Sequence, residues 1–224
     1  MIYLTHLRLV NYTSPQDRAS LNNQAGVVLP QLRVFEYLHE GLQLVNFHHW
    51  DLPSLTHLHI GWISDLPTWQ NTLDALLSFG KKLKSLSLHN SKDGIAFRIY
   101  VTGTLWQLCP KLEQLSCRFG QISGPPTGHP IKHLVIENGD FSGVERVARN
   151  LIWPSLQRVT FSRFSWKDLF HDAQAHLAKS QGGDARVTTR VAGKDSRLWV
   201  LLEAGVPLFD SNGEMLQAWY KERE

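Results

Sequence analysis

Cysteine is scarce. Only Cys109 and Cys117 occur among the 224 residues. Two thiols so close in the chain make no disulfide framework, and no Cys/His spacing fits a structural zinc site. A reducing home, cytoplasmic or nuclear, is therefore expected. Long apolar runs are also missing. Stretches the size of Leu198–Leu202 are the longest, against the roughly 20 residues of a helical membrane span. The opening Met1–Val10 shows no basic leader followed by a long apolar core, so no signal peptide is expected.

Charge of one sign is not in excess. Lys and Arg total 23, Asp and Glu 20, and the formal net charge is +3. The densest basic spot, Lys81-Lys82-x-Lys84, reads as a solvated turn, and nothing in the balance demands nucleic acid. No Gly-x-Ser-x-Gly elbow and no Gly-x-x-x-x-Gly-Lys-[Ser/Thr] phosphate loop occurs. The expectation is a chain without catalytic residues, metal or cofactor.

What the sequence does have is repetition. The template apolar-x-x-apolar-x-apolar appears as Leu4/Leu7/Leu9, Leu32/Phe35/Tyr37, Leu55/Leu58/Ile60, Leu83/Leu86/Leu88, Leu112/Leu115/Cys117, Ile131/Leu134/Ile136 and Leu156/Val159/Phe161. Successive starts are 28, 23, 28, 29, 19 and 25 residues apart. Pro30, Pro53, Pro110, Pro130 and Pro154 fall one or two residues before a start, where proline ends a helical segment and favours extended backbone. Each template predicts a short strand. Between strands, Thr68–Phe79 predicts a helix with Trp69, Leu73, Leu76 and Leu77 on one face and Gly80 as its stop. Ser142-x-x-Glu145 reads as a capping box opening a second helix. Gln121–Gly128 is too broken for a helix, and Ile95/Phe97/Ile99/Val101 alternates as extended chain does.

Strand-plus-spacer units of this length resemble the leucine-rich repeat family over residues 1–166. The resemblance implies an α/β fold, a curved solenoid or horseshoe with parallel strands on its concave face and helices and irregular segments on its convex face. Residues 167–224 read as degenerate terminal repeats that cap the array: a helix over Ser165–Ser180, a strand-like Arg186–Val191, a helix over Asp195–Ala204, and another around Glu214–Tyr220. The first strand begins within four residues of Met1, which leads to the expectation of a fragment that continued upstream. Irregular repeats such as Leu108-Cys-Pro-Lys-Leu-Glu-Gln-Leu115 are similar to those of F-box-associated leucine-rich repeat proteins, large families of which are fungal. In that family an F-box docks to a ubiquitin-ligase adaptor and the repeats select a substrate. No F-box-like segment precedes the array here, so an adaptor is an expected partner only if one lies upstream.

Side chains alternate along a strand. With template positions four and six inward, position three (His6, Val34, His57, Ser85, Gln114, His133, Arg158) and position five (Arg8, Glu36, His59, Ser87, Ser116, Val135, Thr160) face solvent on the concave side. That polar surface suits a protein or peptide partner. Its expected contact residues are His6, Arg8, Glu36, His57, His59, Ser85, Gln114, Ser116, His133 and Arg158. Trp62 and Phe119, just past their strands, either fill the turn core or form an aromatic rim for the partner. An alternative of another class is a metal site, with His57 and His59 on one strand and Glu36 beside His59 on the next. Asn11, Asn90 and Asn138 share position eight and read as a ladder satisfying backbone groups, while Cys109 and Cys117 read as core thiols.

Overall fold

A computed structural model describes residues 4–12, 26–40, 50–63, 66–90, 99–101, 103–117, 119–137, 153, 155–163, 165–167 and 205–216. Eight strands form one sheet in which every pairing is parallel. The strands are β1 (His6–Tyr12), β3 (Val34–Glu40), β5 (His57–Ile63), β6 (Ser85–Asn90), β8 (Gln114–Cys117), β10 (His133–Ile136), β11 (Arg158–Phe161) and β12 (Leu208–Phe209). They lie side by side in chain order, so each new strand is laid on the edge of its predecessor in the sheet. Two further parallel pairs stand apart from this sheet: β2 (Val27–Val28) with β4 (Trp50–Asp51), and β7 (Ile99–Val101) with β9 (Phe119–Ile122). The architecture is α/β with a parallel sheet and few helices.

The register matches the sequence template position for position. His6, Val34, His57, Ser85, Gln114, His133 and Arg158 are lateral neighbours in one row. The inward rows, Phe35 to Val159 and Tyr37 to Phe161, are buried on every strand of the large sheet from β3 to β11. Branched and aromatic side chains here bury one sheet face and leave the alternate face wet.

Entry into the strands repeats at the level of single hydrogen bonds. The carbonyl at template position two accepts two successive amides of the next strand: Thr5 from Arg33 and Val34, Arg33 from Thr56 and His57, Thr56 from Lys84 and Ser85, Lys84 from Glu113 and Gln114. Glu113 and Lys132 continue the series. Before five of the strands the amide at position one closes a turn on the residue three earlier, as Leu32 does on Leu29, Leu55 on Leu52, Leu112 on Cys109 and Leu156 on Trp153, while the Ile131 amide goes to His129 Nδ1. Pro30, Pro53 and Pro110 therefore sit second in a four-residue turn, where a φ fixed near −65° is wanted. Their role is this turn, more than the ending of a helix. Where proline is missing, Gly80-Lys81-Lys82-Leu83 makes the same bond within a 3-10 turn.

Helix α1 (Leu66–Phe79) begins two residues before the predicted start and ends at the predicted residue. Its buried stripe is Thr72, Ala75, Leu76 and Phe79, while Leu77, expected inside, is 59% exposed. The spacing i, i+3, i+4, i+7 selects the deeper stripe. A shorter α2 (Gly103–Leu108) inserts Leu105 and Trp106 into the core, and the Trp106 indole donates to the Ser123 carbonyl at 2.9 Å. Cys109 follows α2 and Cys117 ends β8; both are fully buried free thiols.

Strand β12 comes from the segment read as a degenerate terminal unit. Asp210, fully buried, ties it down by accepting the amides of Trp166 (3.0 Å), Asn212 (2.9 Å) and Glu214 (2.8 Å). The helices expected around Ser142–Glu145 and Asp195–Ala204, the strand-like Arg186–Val191 and the side chains of Asn11, Asn90 and Asn138 lie outside the described residues. So do most of Ser165–Ser180 and of Glu214–Tyr220. Among the described residues no helix is long and apolar enough to cross a membrane.

Candidate functional site

The wet face of the large sheet carries the expected residues, but two rows do not tell the whole story. Among the described residues the alternation continues to template position seven, which reads Val10, Leu38, Gly61, His89, Glu137 and Ser162. The strongest polar contacts of the face involve this third row.

At the β1 edge, Glu36 accepts from His6 Nε2 at 3.1 Å and from Arg8 Nε at 3.4 Å. The metal geometry expected at His57, His59 and Glu36 did not include these partners. Glu36 is the lateral neighbour of His59 as expected, but its carboxylate is engaged by two groups from the opposite side. His57 Nδ1 shares a hydrogen bond with the Thr56 hydroxyl at 2.9 Å. Among the described residues no group of three His, Cys, Asp or Glu side chains converges as metal ligands.

At the centre, Ser87, His89, Glu137 and Ser116 form one hydrogen-bonded chain. Ser87 Oγ lies 2.9 Å from His89 Nε2. His89 Nδ1 lies 2.6 Å from Glu137 Oε2. Ser116 Oγ donates to Glu137 Oε1 at 2.8 Å, and the Glu137 amide is held by the Cys117 carbonyl. Glu137 is only 3% exposed, so both carboxylate oxygens find donors where water is excluded. Glu137 follows β10 and His89 lies on β6, so the two side chains meet across the end of β8. Ser116, expected to face a partner, is instead buried: its hydroxyl is consumed in fixing Glu137.

The His59 ring packs against His89, centroid to centroid at 4.3 Å. Burial, reinforced by His89, pushes the His59 imidazole down to about 4, against the opposing pull of Glu36 and Glu137. Its Nε2 is buried with no hydrogen-bond partner among the described residues. Between β5 and β6 the register slips after Ile60/Leu88 and resumes at Ile63/Asn90. Gly61 and Trp62 thus stand opposite His89 alone, a bulge in the β5–β6 pairing.

Towards β12, His133 Nε2 lies 3.0 Å from Thr160 Oγ1, which also accepts from Arg158 Nε at 3.2 Å. The Arg158 guanidinium sits 4.1 Å above the Phe209 ring. Burial and then the Arg158 charge hold the His133 imidazole below its ordinary value. Ser85 and Gln114 lie half-buried between these clusters. The side chains of Trp62 and Phe119 lie outside the described residues; the Phe119 backbone belongs to β9 and pairs with Ile99 of β7. The thiols are chemically quiet. Burial raises Cys109 to about 12 and, with the nearby Glu137 charge, raises Cys117 well above its ordinary value.

Sequence reasoning placed Ser87 and Ser116 on this face and missed His89 and Glu137. The signal was available: period-two alternation carried one step further names both. Comparison with protein-family models, curated proteins and solved structures returned no match.

Proposed function

We propose that this chain is a leucine-rich repeat solenoid whose wet sheet face binds a protein or peptide partner in the cytoplasm or nucleus. The observation that carries the reading is the wet face itself. Seven consecutive parallel strands present His6, Arg8, Glu36, His57, His59, Gln114, His133 and Arg158 in aligned rows, over an uninterrupted apolar face beneath. Strand order equal to chain order, and the recurring position-two carbonyl, are what stacking of equivalent units produces. The mixture of imidazole, hydroxyl and paired charge favours a polypeptide over a phosphate backbone, because the cations are few and Arg8 is already paired.

A wider role follows from the family resemblance: substrate selection for a ubiquitin ligase, with the adaptor docked by an F-box upstream. The test is capture of partners by the wild-type chain and by a variant carrying His57→Ala, His59→Ala and Arg158→Ala, with circular dichroism as the control for folding. Loss of the captured proteins in the variant is expected. Equal recovery by both refutes the binding face. Adaptor binding that survives without any upstream helical segment refutes the F-box arrangement.

A further inference from the structure

Partner binding leaves unexplained why three side chains from β6 and the end of β10 are hydrogen-bonded in one particular order. As a carboxylate, Glu137 only accepts, so His89 Nδ1–H donates to it at 2.6 Å. In the neutral ring Nε2 is then an acceptor, and the hydroxyl 2.9 Å away, Ser87 Oγ–H, donates into it. A hydroxyl, a base within reach of its proton, and a buried carboxylate orienting the base are the parts that make a serine nucleophilic.

We infer that Ser87 is the nucleophile of an acyl-transfer site for activated carboxylic esters, with His89 as its general base and Glu137 as the positioning residue. The inference is independent of the binding reading, since it requires the sheet face but no partner. Two observations besides the distances support it. Glu137 is anchored on both sides: Ser116 holds the other carboxylate oxygen at 2.8 Å and the Cys117 carbonyl holds the Glu137 amide. The orienting group is therefore fixed independently of the imidazole it orients. The His89 side chain is 34% exposed although His59 packs against one face of its ring, so solvent reaches the base.

In the reaction, Ser87 Oγ bonds to the ester carbonyl carbon as its proton passes to His89 Nε2. The C–O bond to the leaving alcohol then breaks, and His89 returns that proton to the alkoxide. Water repeats the sequence on the acyl-serine and releases the carboxylic acid. The negative oxygen formed in each addition needs a donor. His59, the lateral neighbour of Ser87, is uncharged at neutral pH and brings an Nε2 with no other partner among the described residues. That nitrogen is sealed from solvent in the free chain, so in its Nε2–H tautomer it becomes the donor only once the entering ester displaces what covers it.

The test treats the full chain with a fluorophosphonate probe, maps the adduct by mass spectrometry, and follows p-nitrophenyl acetate hydrolysis against pH. The expected adduct is on Ser87 of the folded wild type and is absent from Ser87→Ala. His89→Ala lowers both rates by roughly 10²–10⁴-fold. Glu137→Gln lowers them and also moves the pH midpoint, a displacement that loss of packing alone does not produce. An adduct that maps elsewhere on the wild type, or forms only after denaturation, overturns the proposal without recourse to any variant. Wild-type rates in His89→Ala, or an unchanged rate and midpoint in Glu137→Gln, overturn it as well.

Discussion

Leu115 and Gln114 are consecutive residues on β8, and they lie on opposite faces of the sheet. Truncating each to alanine separates the two faces energetically. Leu115 is fully buried, and so are its row neighbours Leu86 and Leu134 on the flanking strands. Leu115→Ala removes about three carbon groups, a transfer loss of about 2.4 kcal/mol at ~0.8 kcal/mol each. Neighbours held on hydrogen-bonded strands collapse little into the space, so a cavity contribution adds to this. The expected total is about 3–4 kcal/mol, within the range known for buried Leu→Ala changes. For a chain of this size that corresponds to a fall in Tm of about 6–16 °C. Gln114, half-buried on the polar face, is expected to cost no more than about 0.5 kcal/mol. Urea unfolding followed by far-UV circular dichroism measures both. Equal costs, or a larger cost at Gln114, mean that β8 is paired one residue out of register. Such a slip moves every side chain of the strand to the other face, and the site at Ser87, His89 and Glu137 falls with it.

Two further outcomes are expected. Gly80→Ala places a Cβ 2.5 Å from the Leu108 carbonyl oxygen and 3.1 Å from Cys109 Sγ. The nearer obstacle is backbone, so the change destabilises by about 1–3 kcal/mol, where an unobstructed Gly→Ala stabilises by about 0.4–1 kcal/mol; a measured gain in stability refutes the close approach of the α1 and α2 ends. His59 titrates at about 4 when folded, against 6.5 when exposed. The unfolded chain therefore binds the extra proton first, and the stability contributed by neutral His59 is complete above about pH 6.5 and lost as pH falls towards 4. Urea midpoints between pH 7 and pH 4.5 show this slope, His59→Asn reduces it, and an identical slope in the variant refutes the buried neutral imidazole.

Much of the fold was legible because one period served two purposes. Positions four and six of the template had to be apolar to build the core, so Leu86, Leu115 and Leu134 announced both the strands and their register. The turn proline announced where each strand begins. The eighth strand was harder, since Leu208–Phe209 offers two paired residues without the full template, and Asp210 fixes it by contacts from Trp166 far back in the chain. The centre of the wet face was legible in parts only. Ser87 and Ser116 fell on counted positions. His89 and Glu137 sit at the strand ends, one step beyond the template, and their pairing across β8 joins residues 48 apart. No local pattern encodes that distance. The surroundings of Glu36 were legible in part for a related reason: strand alternation brought Glu36 beside His59 but said nothing of Arg8 and His6 pairing with it from β1.

Laying each strand beside its predecessor has a kinetic consequence. From β1 to β11 the pairings join residues roughly 19–29 positions apart, in place of the long separations of a β-sandwich. Over 224 residues that is a relative contact order of roughly 0.1, in the territory of helical bundles. A newly made segment therefore finds its partner strand already synthesised. The sheet can grow at its open edge during translation, without waiting for distant parts of the chain.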